Sequence, residues 1–591
     1  MKSIRSNPAA TAKPAGPSPR PAGPLPPDRT PIGPFLALLL TILGTSAIRL
    51  RLLSMPLERD EGEYAYAGQL ILQGQPPYER LYNMKWPGTY YCYALIETVF
   101  GQTIAGVRLG VLAINVTAIV LVFLIGRRLL DASAAAAAAV AYAILSLSPA
   151  TLGFAGHATH FVVLFALAGI LGLQRARERQ RLSLYFLAGL FAGLAPIMKQ
   201  PGIVFTAFVL AFWVWQEVRD AGRDWRQSPS YGVMPHTGRL APFFVAMTSL
   251  WPTRSEWRQV MLRGAVLLAG ILAPFSALLA SLWATRTFSA FCLWTISYAR
   301  HYGEPLTTKT FSYFLECFLA IPGDGVVFWI LAGLGLLALR LHLRTRAAAP
   351  FLLGLLIFSF VGVLFGLTFR EHYFILMLPA VALLVGATVF VVRQRLLPRS
   401  PQIATVCTVA LVLIPLSTAF AMEGPFYLWM TPEQACRHVY QQNPFIEAVA
   451  VADYIRAHSS PDDRIAIIGS EPEIYFYCRR PSATGFIYMY SLMEKQPFAS
   501  QFRQQMIQEI EAAQPKYVVF VNLKASWLPP PDADMTIANW FIDYQRRNLK
   551  LVGIVEVDDA MRITYRWDKL EIPPRENVRN VLTVYERVSP P

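Results

Sequence analysis

The chain has 591 residues, of which 54% are hydrophobic and 15% charged, and its mean hydropathy is +0.38. That is too apolar for a soluble protein of this length and marks an integral membrane protein. The formal charge of +15 suggests nucleic-acid binding only until the arginines are placed, because most of them fall in short loops between apolar segments, as the positive-inside rule requires.

From the N-terminus, Met1 to Arg29 is a Pro/Ala-rich basic stretch, predicted to be a disordered cytoplasmic tail over residues 1–30. No cleavable signal precedes the first span, whose apolar run is too long for a signal-peptide core. A span takes about 20 mostly apolar residues, and about eleven segments qualify. They are Ile32 to Leu50, Ile104 to Ile125, Ala132 to Ala150, Ala158 to Leu173, Leu182 to Ile197, Ile203 to Trp215, Met261 to Trp283, Val326 to Leu339, Pro350 to Leu367, Tyr373 to Val392 and Ile403 to Ala421. The sixth is short.

With the tail inside, the clusters Arg127/Arg128, Arg175 to Arg181, Arg219 to Arg263, Arg340 to Arg346 and Arg393 to Arg399 all face the cytoplasm. Arg49, Arg51 and Arg108 fall near outer span ends, against the rule, and suggest an anionic ligand on that side. Residues 31–422 then form a membrane domain with large outside loops at 58–102 and 285–325, and residues 423–591 a soluble outside domain. Within the latter, Arg464 to Gly469 and Tyr517 to Asn522 read as buried strands flanking a helical segment Phe498 to Ala513, a βαβ unit. Leu551 to Val557 and Val581 to Val588 would extend the sheet, and Asn443-Pro444 opens a helix through Ala457. The fold class is an α-helical polytopic membrane protein with a C-terminal α/β domain.

Six cysteines (92, 292, 317, 407, 436 and 478) have no metal-site spacing. Cys436 with Cys478, or Cys292 with Cys317, could pair outside the membrane; free buried thiols are the other reading.

The first outside loop is long for a simple connection and rich in Tyr, Trp, Gly and Pro, and it opens on Asp60-Glu61. Tyr64, Ala67, Leu70 and Ile71 recur at helical spacing, predicting an interfacial helix from Gly62 to Gly74 with that face in lipid. Lys85-Trp86-Pro87-Gly88 opens a second interfacial segment reaching Phe100. Each residue has a plain structural reading beside the functional one. Asp60 could cap the helix; Glu61 could favour its positive end; Lys85 and Arg108 could pair with these acids; Lys199 and His372 could snorkel to headgroups.

Asp60-Glu61-Gly62-Glu63-Tyr64-Ala65-Tyr66, Gly74-Gln75-Pro76-Pro77-Tyr78, Lys85-Trp86-Pro87-Gly88 and Val107-Arg108-Leu109, in that order, resemble the first periplasmic loop of polyprenyl-phosphate-dependent GT-C glycosyltransferases. The resemblance is to the protein O-mannosyltransferase and aminoarabinose-transferase superfamily. Met198-Lys199-Gln200-Pro201-Gly202, Arg370-Glu371-His372-Tyr373-Phe374 and Leu378-Pro379-Ala380 are similar too, so the likeness covers most of residues 30 to 420. It implies a GT-C fold with two juxtamembrane helices in the first loop, a site facing the periplasm of a bacterial-type inner membrane, and a polyprenyl-phosphate sugar donor. The acceptor would be a glycolipid such as lipid A or its core, another glycan, or a protein hydroxyl.

Asp60 matches the family's acidic residue and, with Glu61, is the catalytic candidate; transfer would invert the sugar carbon. Lys85, Arg108, Lys199, Arg370 and His372 are candidates for the lipid phosphate. Many relatives carry a second acid near the outer end of the third or fourth span, where this chain has Gly156-His157-Ala158-Thr159-His160. His157 and His160, three apart on one helix face, and Tyr298 and His301 in the second large loop, beside Arg300 and Tyr302, are acceptor-side candidates. A polar helix end and an aromatic belt would look the same. No cofactor is indicated, although a divalent metal is compatible with the histidines, and no nucleic-acid partner is expected. Glu471 and Glu473 follow a predicted strand and read as a turn or a ligand site. The alternative function is a transporter or flippase for a lipid-linked glycan, which would show repeated halves and polar breaks near the midplane.

Overall fold

The computed structural model describes residues 32–227, 254–301, 311–365, 369–558, 561–568, 570 and 578–588. The predicted tail and Tyr302 lie outside these residues. Among the described residues, eight helices are long and apolar enough to cross a membrane: Ile32–Arg51, Ile104–Leu129, Ala158–Arg179, Gln200–Asp220, Trp257–Ala284, Leu343–Val363, Glu371–Leu396 and Pro401–Trp429. A further pair, Ser312–Ala320 and Gly323–Ala338, is bent by 74°, and Ala132–Leu145 and Leu182–Met198 are apolar but shorter. The sixth predicted span is longer than its apolar run, because the helix Ile203–Gln227 continues through polar residues beyond Trp215.

We denote the helices that build the site α1 (Ile32–Arg51), α2 (Arg59–Leu72), α3 (Gly88–Phe100), α4 (Ile104–Leu129), α5 (Ala132–Leu145), α6 (Ala158–Arg179), α7 (Leu182–Met198) and α8 (Ile203–Gln227). The helix Leu378–Leu396 is apolar all round and is buried along almost its whole length, as such a helix must be. The alanines of α5 let it lie against this helix backbone to backbone: a Cβ on Gly386 would stand 2.7 Å from the Ala134 carbonyl oxygen. The opposite case is α1, whose exposed Ile32, Leu36, Leu39, Leu40 and Leu43 form an outward apolar face suited to lipid.

Arg49 and Arg51, which defied the positive-inside pattern, serve the fold. The Arg49 guanidinium is buried and donates to the carbonyls of Phe154 (3.0 Å), Gly153 (3.0 Å) and Ser146 (3.1 Å). Arg51 donates to the carbonyls of Met430 and Phe426, closing the entry to the C-terminal region. Carbonyl oxygens at helix ends carry partial negative charge and attract such cations without any external anion.

Among the described residues, the C-terminal region holds a five-stranded sheet in the order β1-β2-β5-β3-β4, with β1 (Ile465–Ile468), β2 (Tyr517–Val521), β3 (Leu549–Asp558), β4 (Ile563–Trp567) and β5 (Val578–Arg587). β1 and β2 run parallel and flank the helix Ala499–Ala513, the βαβ unit read from the sequence. β4, an edge strand of half-exposed residues, lacks the apolar run that marks the others. All six cysteines are free thiols, with Cys436 and Cys478 buried, so neither disulfide forms.

Two expectations for the first loop change. The helix starts at Arg59 rather than Gly62, because Glu58 caps it: its side chain accepts from the Glu61 amide, and the Glu61 carboxylate accepts from the Glu58 amide. Asp60 is therefore inside the first turn and free of capping duty. The face carrying Tyr64, Ala67 and Leu70 is buried in protein instead of lipid. The C-terminal region covers α2 through the helix Glu473–Cys478, with Tyr66 stacked on Tyr475 at 5.1 Å and Gln69 donating to the Phe476 carbonyl at 3.1 Å. In α3 the outward residues Leu95 and Val99 are exposed, as in an interfacial helix.

Candidate active site

Successive residues on a helix point about 100° apart, which sends Asp60 and Glu61 to different neighbours while grouping Asp60 with Glu63 and Tyr64. On the Asp60 side, the Lys85 ammonium lies 2.7 Å from Asp60 Oδ1 and 2.5 Å from Glu63 Oε2, above the Tyr64 ring at 4.6 Å. Tyr90 donates to Glu63 Oε1 at 2.5 Å, and Tyr488, from the C-terminal region, places its hydroxyl 3.4 Å from Asp60 Oδ1 and 3.1 Å from the Arg59 carbonyl. The Asp60 side chain keeps 24% of its surface open and Lys85 21%, whereas Glu63 is sealed.

On the other side, Glu61 is fully buried. It pairs with Arg108 at 2.5 Å and accepts from the Gly156 amide at 2.5 Å. Arg108 also donates to the carbonyls of Met55 (3.2 Å) and Pro56 (2.8 Å). These two residues tie α2 to α4 and to the turn before α6, and both lie away from the open face.

Three further elements bring their ends to Asp60. Lys199 is an extended residue between α7 and the Gln200–Gly202 turn, held near the first loop by Thr89 Oγ1 donating to the Met198 carbonyl (2.9 Å) and Gln200 Nε2 to that of Met84 (2.8 Å). Its ammonium lies 3.3 Å from His372 Nε2 and 4.0 Å from the Tyr373 ring centroid. The His372 ring stacks on that of His157 at 4.2 Å, with 13° between the planes. His157 Nδ1 is 3.9 Å from Asp60 Oδ2 and 3.6 Å from Glu58 Oε1, and neither of its buried ring nitrogens has a hydrogen-bond partner among the described residues. Arg370, exposed at the start of the Glu371–Met377 turn, stands close enough to Tyr490 for its charge to act there.

The charges reinforce this geometry. Burial would raise the Asp60 carboxyl, yet the Lys85 ammonium holds it well below the usual carboxylate range. Burial would lower Lys85, but Asp60 and Glu63 keep it well above an ordinary lysine. Burial brings Lys199 down to about 7, against the pull of Asp60, and His157 down to about 3, so the imidazole is neutral. Burial and the neighbouring Asp60 and Glu61 push Glu58 up to about 8.

Ligand atoms of Asp60, His157 and His372 all lie within 4.8 Å of one another. Two imidazoles and a carboxylate form a donor set that suits a borderline divalent ion, and the unpartnered nitrogens of His157 agree with it. A protonated Lys199 beside His372 opposes it.

His157 and His160 part company, because His157 is the N-cap residue, outside the helical repeat, whereas His160 turns back to the Gly153 carbonyl at 3.0 Å. Tyr298 donates to Glu494 at 2.6 Å, and His301 packs against Phe498, both at the C-terminal region. Glu471 forms a buried ion pair with Arg59 at 2.9 Å, a contact between the two parts of the chain. Sequence reasoning passed over Glu63, Tyr90 and Tyr488. The i, i+3 spacing from Asp60 signals Glu63; no local signal marks Tyr488.

Residues 84–234 match the family model described as dolichyl-phosphate-mannose-protein mannosyltransferase. An undecaprenyl phosphate-alpha-4-amino-4-deoxy-L-arabinose arabinosyl transferase of Pseudomonas aeruginosa (strain UCBPP-PA14) is 28% identical over 186 residues, which are 30% of this chain and 33% of that protein. The match thus spans about a third of the curated relatives' length. Among solved structures, ArnT from Cupriavidus metallidurans in the apo state superposes with a TM-score of 0.55 at 14% identity, covering 94% of this chain and 98% of that one. The same protein bound to undecaprenyl phosphate gives 0.53 at 15% identity, covering 92% and 100%. The archaeal oligosaccharyltransferase AglB from Archaeoglobus fulgidus, in complex with an inhibitory peptide and a dolichol-phosphate, gives 0.51 at 15% identity, covering 92% and 75%. The chain has the GT-C fold.

Proposed function

We propose that this GT-C membrane protein transfers a sugar from a polyprenyl-phosphate carrier to an acceptor hydroxyl at the outer face of the inner membrane. The observation that carries the reading is the meeting of one carboxylate, Asp60, with Lys85, Lys199 and His372 at the ends of separate elements. The relatives supply the donor class: one curated relative is a transferase acting with an undecaprenyl-phosphate sugar, and one structural neighbour binds undecaprenyl phosphate. A carboxylate held as low as Asp60 is a weak base while Lys85 occupies it. An arriving phosphate competes for that ammonium, and Asp60 becomes more basic as Lys85 turns to the phosphate.

In the reaction, Asp60 takes the acceptor hydroxyl proton and the acceptor oxygen attacks the anomeric carbon. The carbon–oxygen bond to the phosphate breaks with its electron pair going to the phosphate, and the configuration inverts. Lys85 and Lys199, with Arg370 and His372 near by, stabilise the leaving phosphate. Glu61 and Arg108 hold α2 in place and touch no substrate. The C-terminal region brings Tyr488 to the acid and is the side from which an acceptor would be recognised. The transporter reading loses support because the polar centre lies at helix ends.

The test is transfer from a panel of polyprenyl-phosphate sugars in membranes containing wild type or Asp60→Asn at matched folded amounts. A fall of roughly 10²- to 10⁴-fold in the variant supports the assignment. Transfer at the wild-type rate by the variant sinks Asp60 as the base.

A further inference from the structure

Away from Asp60, the first loop and the C-terminal region enclose an open polar cleft of about 670 Å³, within the range of about 300–1,000 Å³ usual for small-molecule sites. The seam beneath it is closely packed. The Tyr82 amide donates to the Gly485 carbonyl at 2.8 Å, and a side chain on Gly485 would collide with the Tyr82 ring at 2.4 Å. One wall is kept low by Ala512 and Ala513.

The cleft's charges are unequally engaged. Glu509 is held by four donors: Tyr82 Oη (3.0 Å), Gln505 Nε2 (2.8 Å), Thr484 Oγ1 (2.6 Å) and the Gly485 amide (3.1 Å). Its charge is thereby dispersed. Arg464 makes one long bond, 3.3 Å to the Ser482 carbonyl, and exposed Arg80 makes none among the described residues. Glu79 is the remaining acid on the rim. Tyr82, the aromatic residue of the lining, has Trp294 stacked on it at 5.5 Å and Phe486 edge-on at 5.0 Å, so a planar base finds no platform.

We propose that this cleft binds a sugar bearing an anionic group, phosphate or carboxylate, with Arg80 and Arg464 on the anion and Glu79 on hydroxyls. Two guanidiniums from separate segments suit the bidentate recognition such anions offer. Resting on the transferase reading, the cleft would hold a charged sugar of a glycan whose reacting end lies elsewhere, at Asp60.

The test is calorimetric titration of the full chain in detergent with glucose 6-phosphate, glucose and inorganic phosphate. The proteins are wild type, Arg80→Gln, Arg80→Gln/Arg464→Gln and Lys199→Gln. We expect glucose 6-phosphate to bind wild type and Lys199→Gln equally, at least tenfold more tightly than either glucose or phosphate. Binding should weaken in Arg80→Gln, whose side chain makes no hydrogen bond or ion pair among the described residues, and by tenfold or more in the double variant. Affinity unchanged by the arginine substitutions, lost with Lys199, or matched by inorganic phosphate overturns the proposal. A second arm replaces glucose 6-phosphate by a phosphorylated glycolipid in nanodiscs; arginine-dependent capture there at higher affinity assigns the sugar to a lipid, and equal affinity to a soluble glycan. Arginine-dependent binding by a protein that transfers no sugar removes the transferase reading and leaves the cleft standing.

Discussion

Lys85 and Asp60, 25 residues apart in sequence, meet at 2.7 Å on one half-open face, and each sets the charge of the other. Asp60 is kept ionised to low pH by this cation, which in the proposed reaction leaves it before it takes a proton. The same ammonium is shared with sealed Glu63, which gives Lys85 a second anchor.

Replacing Lys85 by Gln removes the group that holds Asp60 down. Asp60 must be unprotonated to accept a proton, so activity falls as pH drops through its pKa. With that pKa raised, the acid limb of the kcat/KM profile moves to higher pH. We expect that shift together with a 10²- to 10³-fold lower rate at the optimum, the usual scale for losing a group that stabilises developing charge. An acid limb at the wild-type position would separate Lys85 from Asp60.

Lys199 titrates near neutrality because it is buried, at about 7. It is a cation below that pH and neutral above it, so donor affinity should decline as pH rises through 7. Lys199→Arg keeps its charge throughout. The pH dependence of the donor KM between 6 and 8.5 should flatten in that variant. Parallel profiles for the two proteins would take Lys199 out of phosphate binding.

Arg108 and Glu61 form a buried pair, and Glu61 also accepts from the Gly156 amide. Arg108→Met leaves a carboxylate without its partner, at a cost of about 3–5 kcal/mol. Thermal unfolding in detergent should show a large loss, partly recovered in Glu61→Gln/Arg108→Met. A variant that keeps its midpoint and loses only donor affinity would return Arg108 to the phosphate site.

Gly62 faces the N-terminus of the helix Glu473–Cys478, where an added Cβ would stand 2.6 Å from the Glu473 amide nitrogen and 2.7 Å from its Cα. Neither backbone atom can yield cheaply. Gly62→Ala should destabilise by about 1–3 kcal/mol and loosen the cover over α2. Faster hydrogen exchange in residues 59–72 would report it; unchanged exchange would show that the C-terminal region is not what holds the helix.

The sequence by itself determined the membrane class, the apolar segments, the two helices of the first loop, and the βαβ order of β1 and β2, because apolar run length and periodicity are local properties of the chain. It also placed Asp60, Lys85, Lys199 and His372 at segment ends. It did not separate Asp60 from Glu61, since that takes the helix start, and the start depends on Glu58 capping where Gly62 was expected to open the helix. Only the tertiary structure decided that Arg49, Arg51 and Arg108 answer internal carbonyls and Glu61, that α2 is covered by protein instead of lipid, and that Tyr488 reaches Asp60. Each of these joins residues tens to hundreds of positions apart. A buried arginine looks the same in sequence as one waiting for a ligand, and the difference lies in which carbonyls the fold leaves unpaired beside it.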